Sequence, residues 1–299
     1  MELRNLHRYA RHYNMSDEQV ERAKEAIERF CLRERHERQC RITPIDTVTV
    51  TVGSILDAAH RLSTCHIPKN MSSVLTSIFC FLINPAKFLR EGRRMTDVEH
   101  FNQCGLPSVR NFSTIQFQQT TTGKSWTHMV LVRDPLERIT SGFLNKCVNE
   151  FHRKPTGCFH CNKDLECVLQ RLLVRNYHLR GHSDGKYRMA MWHFTPQMWS
   201  CELRANRHLM KLIKYSSSRR EQIVGDLITV FHRNGVPKST QNTISSELLS
   251  ERTVHSTTNG DHLNEYKRQM ASNRRLQRIV AEAFFYDVIL LDFPFPPLS

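Results

Sequence analysis

The chain has 299 residues and a mass of 35.1 kDa, which is enough for one large domain or two small ones. Hydrophobic residues make up 39% and charged residues 24%, and these values exclude a wholly disordered chain. The 43 Lys and Arg exceed the 29 Asp and Glu by 14 charges. Such a surplus favours a polyanionic partner, namely nucleic acid, an anionic membrane, a phosphorylated ligand or an acidic polysaccharide.

Two features of the sequence bear on the compartment. The N-terminus has no apolar core of a signal peptide, and the apolar stretches 74–83 and 281–291 have about half the length of a membrane span. The chain as given is therefore expected to be soluble, without a signal or transmembrane segment. The ten cysteines favour a protein of the secretory pathway, because cytosolic proteins rarely use paired cysteines structurally.

Residues 1–60 are predicted to form an N-terminal helical and extended segment. Apolar residues recur at helical spacing over 16–40, and Ser16 with Gln19 forms a capping-box pattern at the start of this helix. Thr and Val alternate over 47–52, which indicates a strand or an extended connection.

Residues 61–299 are predicted to form the main domain, because strand patterns alternate there with helix patterns. The predicted strands cover 62–67, 126–132 and 209–213, and the predicted helices cover 74–82, 136–146, 220–233 and 261–285. This alternation predicts the α/β class, with a central parallel sheet flanked by helices.

The first break between a strand and a helix, over 68–73, is a candidate anion site. Main-chain N–H groups of residues 70–74 are expected to point at an anion from the start of the helix, and Lys69 adds a full charge. The segment lacks the pattern G-x-x-x-x-G-K-[ST], so a nucleoside-triphosphate site is not expected. The alternative is that Lys69 is an exposed loop lysine.

The second break places Arg133 directly after an apolar strand and Ser141 two helical turns later. A guanidinium and a hydroxyl at this spacing can converge on one phosphate. Arg138 is expected to pair with Glu137 or Asp134, or to face solvent.

These residues resemble a known family. Val132–Phe143, with Asn145 and Lys146 after it, is similar to the 3′-phosphate-binding motif of the Golgi carbohydrate sulfotransferases of the chondroitin and HNK-1 type. Residues 68–73 stand in the place of their 5′-phosphosulfate loop, and the Asn-Met-Ser-Ser version looks like the nematode branch. The segment from His193 to Gln197 and the pair Tyr286-Asp287 are weaker matches.

The resemblance implies the P-loop-NTPase-like sulfotransferase fold and the donor 3′-phosphoadenosine 5′-phosphosulfate (PAPS), with no metal required. It implies an enzyme that moves the sulfuryl group to a hydroxyl of a carbohydrate, expected to be an anionic glycan, with no nucleic acid partner. It also implies the Golgi membrane or lumen, although no membrane anchor is present in this sequence. The implied donor-binding residues are Pro68, Lys69, Asn70, Met71, Ser72, Ser73 and Val74 for the 5′ phosphosulfate, and Arg133 and Ser141 for the 3′ phosphate. The polar stretch containing Thr257 is expected to close over the nucleotide.

Two catalytic residues are expected. Lys69 is placed to neutralise charge on the leaving phosphate oxygen, and His193 is the first candidate for the general base that takes the acceptor proton. His66, His128 and His255 are the alternative bases.

Other features leave alternatives open. Cys158 and Cys161 are expected to form a local disulfide, with free thiols as the alternative. A zinc site is not expected, because the chain has no second C-x-x-C. The three tryptophans are expected in the core, with a sugar-stacking platform as the alternative; they are Trp126, Trp192 and Trp199. The alternative functions are a catalytically inactive polyanion- or glycan-binding protein and a nucleotide-dependent kinase.

Overall fold

The computed structural model describes residues 3–32, 42–43, 53–96, 108–109, 125–178, 185–250 and 261–295. The chain divides into two compact units. The helical unit contains Met1–Val50, Asp134–Trp199 and Gly260–Ser299, and the sheet unit contains Thr51–Arg133 and Ser200–Asn259. The predicted boundary between residues 60 and 61 stays a prediction.

The regular elements follow one another in an order that alternates strands with helices only in the middle of the chain. In chain order they are α1 (Leu3–His12), α2 (Asp17–Ile27), β1 (Ser54–Asp57), β2 (Leu62–Cys65), α3 (Ser72–Ile83), α4 (Pro85–Arg90), β3 (Ser108–Val109), β4 (Thr127–Arg133), α5 (Pro135–Phe143), α6 (Leu165–His178), α7 (Arg188–Phe194), α8 (Leu203–Asn206), β5 (Lys211–Tyr215), α9 (Arg220–Arg233), α10 (Lys238–Ser250), α11 (Asp261–Ser272), α12 (Arg274–Ala283) and α13 (Phe285–Leu290). Short π-helical turns follow α2 (Glu28–Leu32) and α5 (Leu144–Asn149).

The sheet unit is built on a mixed five-stranded sheet with the strand order β3-β1-β2-β4-β5. β2, β4 and β5 are parallel, whereas β1 pairs antiparallel with both β2 and β3. The α/β class with a helix-flanked sheet is confirmed, and the parallel part of the sheet comprises three strands. The strand pattern over 47–52 lies outside the described residues.

The antiparallel hairpin of β1 and β2 comes from a polar turn between the two strands. The Asp57 carboxylate accepts hydrogen bonds from the main-chain N–H groups of Ala59 and His60, at 3.1 and 3.4 Å, and contacts His60 Nδ1 at 2.6 Å. A side chain that satisfies the main chain of its own turn stabilises a short connection, so the two strands must pair antiparallel.

The core of the sheet unit lies between the sheet and the helices α3, α9 and α10. Alternate side chains of β4, including Met129 and Leu131, face this core together with Phe79 of α3 and Phe231 of α9. A fully buried side chain of this size contributes about 1.5–3 kcal/mol. Because side chains alternate along a strand, Arg133, two residues after Leu131, lies on the same face of the sheet as α3.

The helical unit has its own core, and its helices show clear start signals. The capping box at α2 is confirmed, since Ser16 Oγ accepts from Gln19 N and Gln19 Oε1 accepts from Ser16 N, both over 3.2 Å. The single helix expected over 261–285 is wrong, because the Asn273 side chain accepts from the N–H groups of Arg275 and Leu276 and starts a new helix there.

Candidate functional site

The turn between β2 and α3 has an unusual main-chain conformation. Lys69 and Met71 both lie in the left-handed region, with φ of 71° and 62°. Left-handed residues other than glycine cost about 1–2 kcal/mol each, so the surrounding structure must hold them. Between them Asn70 is buried, and its Nδ2 donates to the carbonyl oxygen of Leu131 on β4 over 2.8 Å. Turns with left-handed residues gather main-chain N–H groups into concavities that bind anions.

The start of α3 adds to this anion-binding character. The first main-chain hydrogen bond of the helix runs from Leu75 N to Met71 O over 3.0 Å. Met71 occupies the N-cap and makes no side-chain capping bond. The N–H groups of Ser72 and Ser73 therefore stand at the positive end of a helix of 12 residues, where a negatively charged group is favoured.

Arg133 lies against the same turn. It is the last residue of β4, it pairs in register with Tyr215, and it is buried. Its Nη1 donates to the carbonyl oxygen of Lys69 over 3.0 Å, and its guanidinium carbon lies 5.1 Å from the centre of the Tyr215 ring. The structure therefore brings two of the predicted site residues, Lys69 and Arg133, together at the carboxyl ends of adjacent parallel strands, where α/β sheets bind ligands.

A disulfide that the sequence did not predict fixes the approach to this turn. Cys65 ends β2, four residues before Lys69, and is bonded to Cys201 with a Cα–Cα distance of 6.1 Å. The link joins residues 136 positions apart in the chain. It therefore ties the strand that delivers Lys69 to the segment that precedes β5.

Two of the candidate histidines, His66 and His128, lie in the sheet unit and are poor general bases. Burial lowers the pKa of His66 to about 3 and the pKa of His128 to about 4. His128 Nδ1 also lies 2.6 Å from Ser63 Oγ on the paired strand. A catalytic base works best with a pKa near the working pH, so the structure argues against both alternatives. His255 and Thr257 lie outside the described residues.

Ser141 lies in the helical unit, on α5, where it is buried. Asp134 caps this helix and accepts from the N–H groups of Leu136 and Glu137 over 2.9 and 3.0 Å. Gly142, next to Ser141, packs so closely against α7 that an added Cβ would lie 2.8 Å from the Phe194 ring. The tight contact of α5 with α7 therefore sets the position of Ser141 within its unit.

Arg138 does not face solvent, so that alternative is wrong. Its side chain is buried, and its Nη1 donates to the carbonyl oxygen of Thr195 over 2.7 Å. A buried guanidinium needs strong partners, and the segment that follows α7 supplies this one. The spacing of residues in the sequence could not show this contact, because Thr195 is 57 positions away.

The two weaker sequence matches meet at Asp287. This carboxylate is fully buried and accepts from the main-chain N–H groups of Gln197 and Met198 over 2.8 and 2.9 Å. Burial raises the pKa of Asp287, and the two hydrogen bonds and the nearby Arg138 charge oppose that rise. These hydrogen bonds join α13 to the segment that follows α7, so Asp287 and Gln197 are structural.

His193 is buried on α7, and its Nδ1 lies 2.8 Å from the carbonyl oxygen of Met189. A carbonyl oxygen only accepts, so Nδ1 carries the proton and the neutral ring keeps a lone pair on Nε2. This is the tautomer that a proton acceptor needs.

The predicted disulfide between Cys158 and Cys161 is wrong. Cys147 is bonded to Cys158 and Cys161 to Cys167. Which cysteines pair depends on which Cβ atoms the fold brings within about 4 Å, and the partners come from the π turn after α5 and from α6.

All seven cysteines whose side chains are described are disulfide-bonded. Among the residues that the structure describes, no group of three or more His, Cys, Asp and Glu is arranged to hold a metal ion.

Of the three tryptophans, Trp199 is buried in the core and Trp126 packs against Leu56. None of the helices that the structure describes is long and apolar enough to cross a membrane.

The chain is similar to proteins of a known family. The sequence model of the sulfotransferase family matches residues 53–294. Three relatives from Caenorhabditis elegans are similar to the chain. The uncharacterized protein C18B2.2 is 26% identical over 79% of this chain and 68% of its own length. Carbohydrate sulfotransferase chst-1 is 25% identical over 78% of this chain and 73% of its own length. Putative sulfotransferase vep-2 is 26% identical over 67% of this chain and 63% of its own length.

No solved structure is significantly similar to the chain. The family model spans most of the chain and includes both the turn after β2 and the segment that begins at Arg133. The family expected from the residues is thereby confirmed, and the similar proteins are nematode proteins, as the Asn-Met-Ser-Ser version of the loop indicated. The chain belongs to the sulfotransferase family.

Proposed function

We propose that this sulfotransferase moves the sulfuryl group from PAPS to a hydroxyl of a carbohydrate, and that the acceptor is an anionic glycan. Membership of the family and the similarity to a relative named as a carbohydrate sulfotransferase support the proposal. The net charge of +14 is favourable for a highly charged donor and an acidic acceptor alike.

The observation that carries the proposal is the turn after β2. It combines two left-handed residues, the start of α3 and a lysine, and the Arg133 side chain supports it from β4. Each of these features favours an anion, and together they suit the 5′ phosphosulfate of PAPS. Residues 68–74 form this cradle in the proposal.

Lys69 is proposed as the catalytic residue that neutralises charge on the leaving group. When the sulfuryl group leaves PAPS, negative charge develops on the phosphate oxygen that stays behind. An ammonium group that is already in place neutralises this charge without the cost of reorganising water. Transfer of a sulfuryl group needs little covalent help from a protein, by analogy with phosphoryl transfer, so positioning and charge supply most of the catalysis.

Arg133 is proposed to bind the 3′ phosphate of the donor. A guanidinium has five N–H donors in a planar fork that matches a phosphate. One Nη donates to the carbonyl of Lys69, so the same side chain also positions the turn. The parts of Ser141 and Thr257 in holding the donor remain predictions from the family motif.

His193 is proposed as the general base. The hydrogen bond from Nδ1 to Met189 O fixes the tautomer that leaves Nε2 as the proton acceptor. Among the three candidate histidines that the structure describes, burial lowers the pKa of His66 and His128 far below neutrality, which leaves His193.

The compartment is proposed to be the Golgi lumen. All the described cysteine side chains form disulfides, and structural disulfides persist in oxidising compartments.

The direct test is transfer of radiolabelled sulfate from PAPS to a panel of desulfated glycosaminoglycans and neutral oligosaccharides. Incorporation into a glycan, lost in the Lys69→Ala variant, is the expected result. ATP with magnesium must not support transfer of phosphate to the same panel, since that result would indicate a kinase. Binding of glycans without any transfer would instead indicate an inactive glycan-binding protein.

Donor recognition is tested separately by thermal unfolding with two nucleotides. Adenosine 3′,5′-bisphosphate should raise the melting temperature by mass action, and adenosine 5′-phosphate should raise it far less. Equal shifts would contradict a site for the 3′ phosphate.

A further inference from the structure

Two disulfides frame a short turn in the helical unit, and we call Cys158–Cys161 the disulfide-framed turn. Its outer residues are bonded to Cys147 and Cys167, and its inner residues are Phe159 and His160. Both inner residues have left-handed φ, 52° and 60°, although neither is glycine. Consecutive residues in this region are strained, and strain of this kind concentrates where a protein binds a ligand.

The turn supports a cluster of aromatic and cationic side chains. Phe159 is fully buried, and its ring lies 5.8 Å from that of Tyr187. The guanidinium of Arg175 lies 4.0 Å from the centre of the Tyr187 ring, and Lys186 Nζ lies 5.4 Å from it. The exposed ring of His160 meets the Tyr187 ring edge-on at 5.9 Å. Two positive side chains and one histidine therefore surround a single tyrosine.

More positive charge lies beside this cluster. Arg171, one turn before Arg175 on α6, donates from Nη1 to the carbonyl oxygen of Phe159, and Arg188 follows Tyr187 and is exposed. Within the described residues, no carboxylate lies at ion-pair distance from Arg171, Arg175, Lys186 or Arg188. Among the described residues, Arg175 and Lys186 thus contact an aromatic ring and Arg171 a carbonyl oxygen, and neither kind of partner neutralises a positive charge.

We propose that this cluster, formed by His160, Arg171, Arg175, Lys186 and Tyr187, binds the carboxylate or sulfate groups of an acidic glycan chain. A guanidinium stacked on a ring keeps its N–H donors at its edge, where they can grip a carboxylate or sulfate in a bidentate manner. Because the stacking orders the arginine side chain before the glycan binds, less conformational entropy is lost on binding.

The chemistry of the cluster favours a glycan over a single-stranded nucleic acid. Proteins bind single strands by stacking bases on aromatic faces. Here Arg175 already covers the Tyr187 ring at 4.0 Å and Phe159 is fully buried, so neither offers such a platform. Anionic groups on a sugar chain need only the cations. The proposal deepens the proposed function, and it rests on that function only in taking the bound glycan to be the acceptor.

The test compares two variants that lose the same charge. Arg175→Gln with Lys186→Gln removes two cations from the cluster, and Arg233→Gln with Lys238→Gln removes two exposed cations from the sheet unit. Binding of a sulfated hexasaccharide of alternating hexuronate and hexosamine is measured by calorimetry without PAPS. We expect the dissociation constant to rise at least about tenfold in the cluster variant and less than about twofold in the control.

Two further arms keep the result clear. An uncharged hexasaccharide of N-acetylglucosamine should bind at least about tenfold more weakly to the unmodified chain than the sulfated one does, because it lacks the anionic groups. Single-stranded DNA of equal charge should also bind more weakly. Lys186→Gln alone, at an exposed position, guards against misfolding of the double variant and should weaken binding at least about threefold.

If the cluster variant and the control lost equal affinity for the sulfated hexasaccharide, the proposal would be overturned. Binding of single-stranded DNA as tight as binding of the glycan would also overturn it. Because the binding measurement contains no PAPS, its failure leaves the donor site standing. Failure of sulfate transfer in the unmodified chain would contradict the proposed function and leave the binding result intact.

Discussion

The Arg133 guanidinium donates to the main-chain carbonyl oxygen of Lys69 across 3.0 Å, joining residues 64 positions apart in the chain. Lys69 has a left-handed φ of 71°, so the hydrogen bond helps to hold a main-chain conformation that a lysine does not favour. Two residues from motifs that are separate in the sequence are therefore in direct contact within the sheet unit. A substitution at Arg133 should consequently affect both the donor contact and the position of Lys69.

Lys69→Ala should lower kcat by about 100-fold or more and change the donor KM only a few-fold. One lost donor to a charge that develops in the transition state typically costs about 3 kcal/mol. Steady-state kinetics with PAPS as the varied substrate measures both constants. Lys87→Ala, on α4 of the same unit, is the matched control and should leave them unchanged. A normal kcat in Lys69→Ala would show that Lys69 is an ordinary loop lysine.

Arg133→Ala should raise the donor KM at least about tenfold, because it removes a charge-assisted contact that exists before and during the reaction. It should also lower kcat, by less than Lys69→Ala does, since the turn loses the bond to its carbonyl. Arg133→Lys can still donate to that carbonyl but cannot grip a phosphate with two N–H groups. We therefore expect Lys at this position to restore most of kcat and little of KM. A donor KM unaltered in Arg133→Ala would refute the assignment.

The sequence allowed the alternating part of the fold to be predicted because each strand there is short, apolar and bounded by a clear break. β4 and α9 lie where the apolar patterns indicated them, and α9 begins and ends at the predicted residues. The hairpin of β1 and β2 escaped prediction, since its turn depends on hydrogen bonds from Asp57 rather than on a glycine pattern.

The candidate site was predictable only in part. Lys69 stood out because it lies between a predicted strand and a predicted helix, and Arg133 because it directly follows a predicted strand. Their mutual contact, the disulfide of Cys65 with Cys201 and the burial of Arg138 all join residues far apart in the chain. Local patterns carry no signal for such contacts.

The disulfide pairing gives the next prediction. Peptide mapping of protein made in a secretory pathway should find Cys65 linked to Cys201, and no fragment linking Cys158 to Cys161. Loop-closure entropy gives about 4–5 kcal/mol for the link across 136 residues and about 2 kcal/mol for the link across six.

These estimates are tested by urea unfolding of two Ser variants. Cys65→Ser with Cys201→Ser should lose more stability than Cys161→Ser with Cys167→Ser, which is the control. It should also raise the donor KM, because β2 delivers the turn that contains Lys69. An equal loss in the free energy of unfolding in the two variants would contradict a larger contribution of the Cys65–Cys201 disulfide.

Buried histidines should make the chain sensitive to acid. Folding lowers the pKa of His66 to about 3 and that of His128 to about 4. The unfolded chain then binds more protons below pH 6.5, so stability is full above that pH and is lost as the pH falls towards the folded values. Between about pH 7.5 and about pH 5, each histidine should cost about 2 kcal/mol.

Urea unfolding at the two pH values measures this loss. His128→Gln keeps a partner for Ser63 and does not titrate, so its loss should be smaller than that of the unmodified chain by about 2 kcal/mol. His232→Gln, at an exposed position, is the control for the substitution itself. An identical pH dependence in His128→Gln would mean that folding does not lower the pKa of His128.

The network around Asp287 gives the last prediction. Asp287→Asn keeps one oxygen acceptor for the N–H groups of Gln197 and Met198 but turns an amide donor towards the other, and it leaves the Arg138 charge buried. A buried N–H group that loses its acceptor costs about 1–3 kcal/mol, and more where the lost hydrogen bond was to a charged group. We expect the free energy of unfolding, measured with urea, to fall by this amount. Because the variant has no carboxyl group at position 287 to take up a proton, this loss should not diminish at low pH.

Arg138→Met removes the other charge and should behave differently with pH. Burial raises the pKa of Asp287, and loss of the Arg138 charge, which lowers it, raises it further. A carboxyl group whose folded pKa lies above its unfolded value takes up a proton on folding, so its destabilising effect diminishes as the pH falls. The stability gap between Arg138→Met and the unmodified chain should therefore be largest near neutral pH and narrow towards about pH 5. A gap that is constant with pH would show that the cost of the substitution comes from the lost hydrogen bond to Thr195 and from packing, and that the two charges do not act on each other.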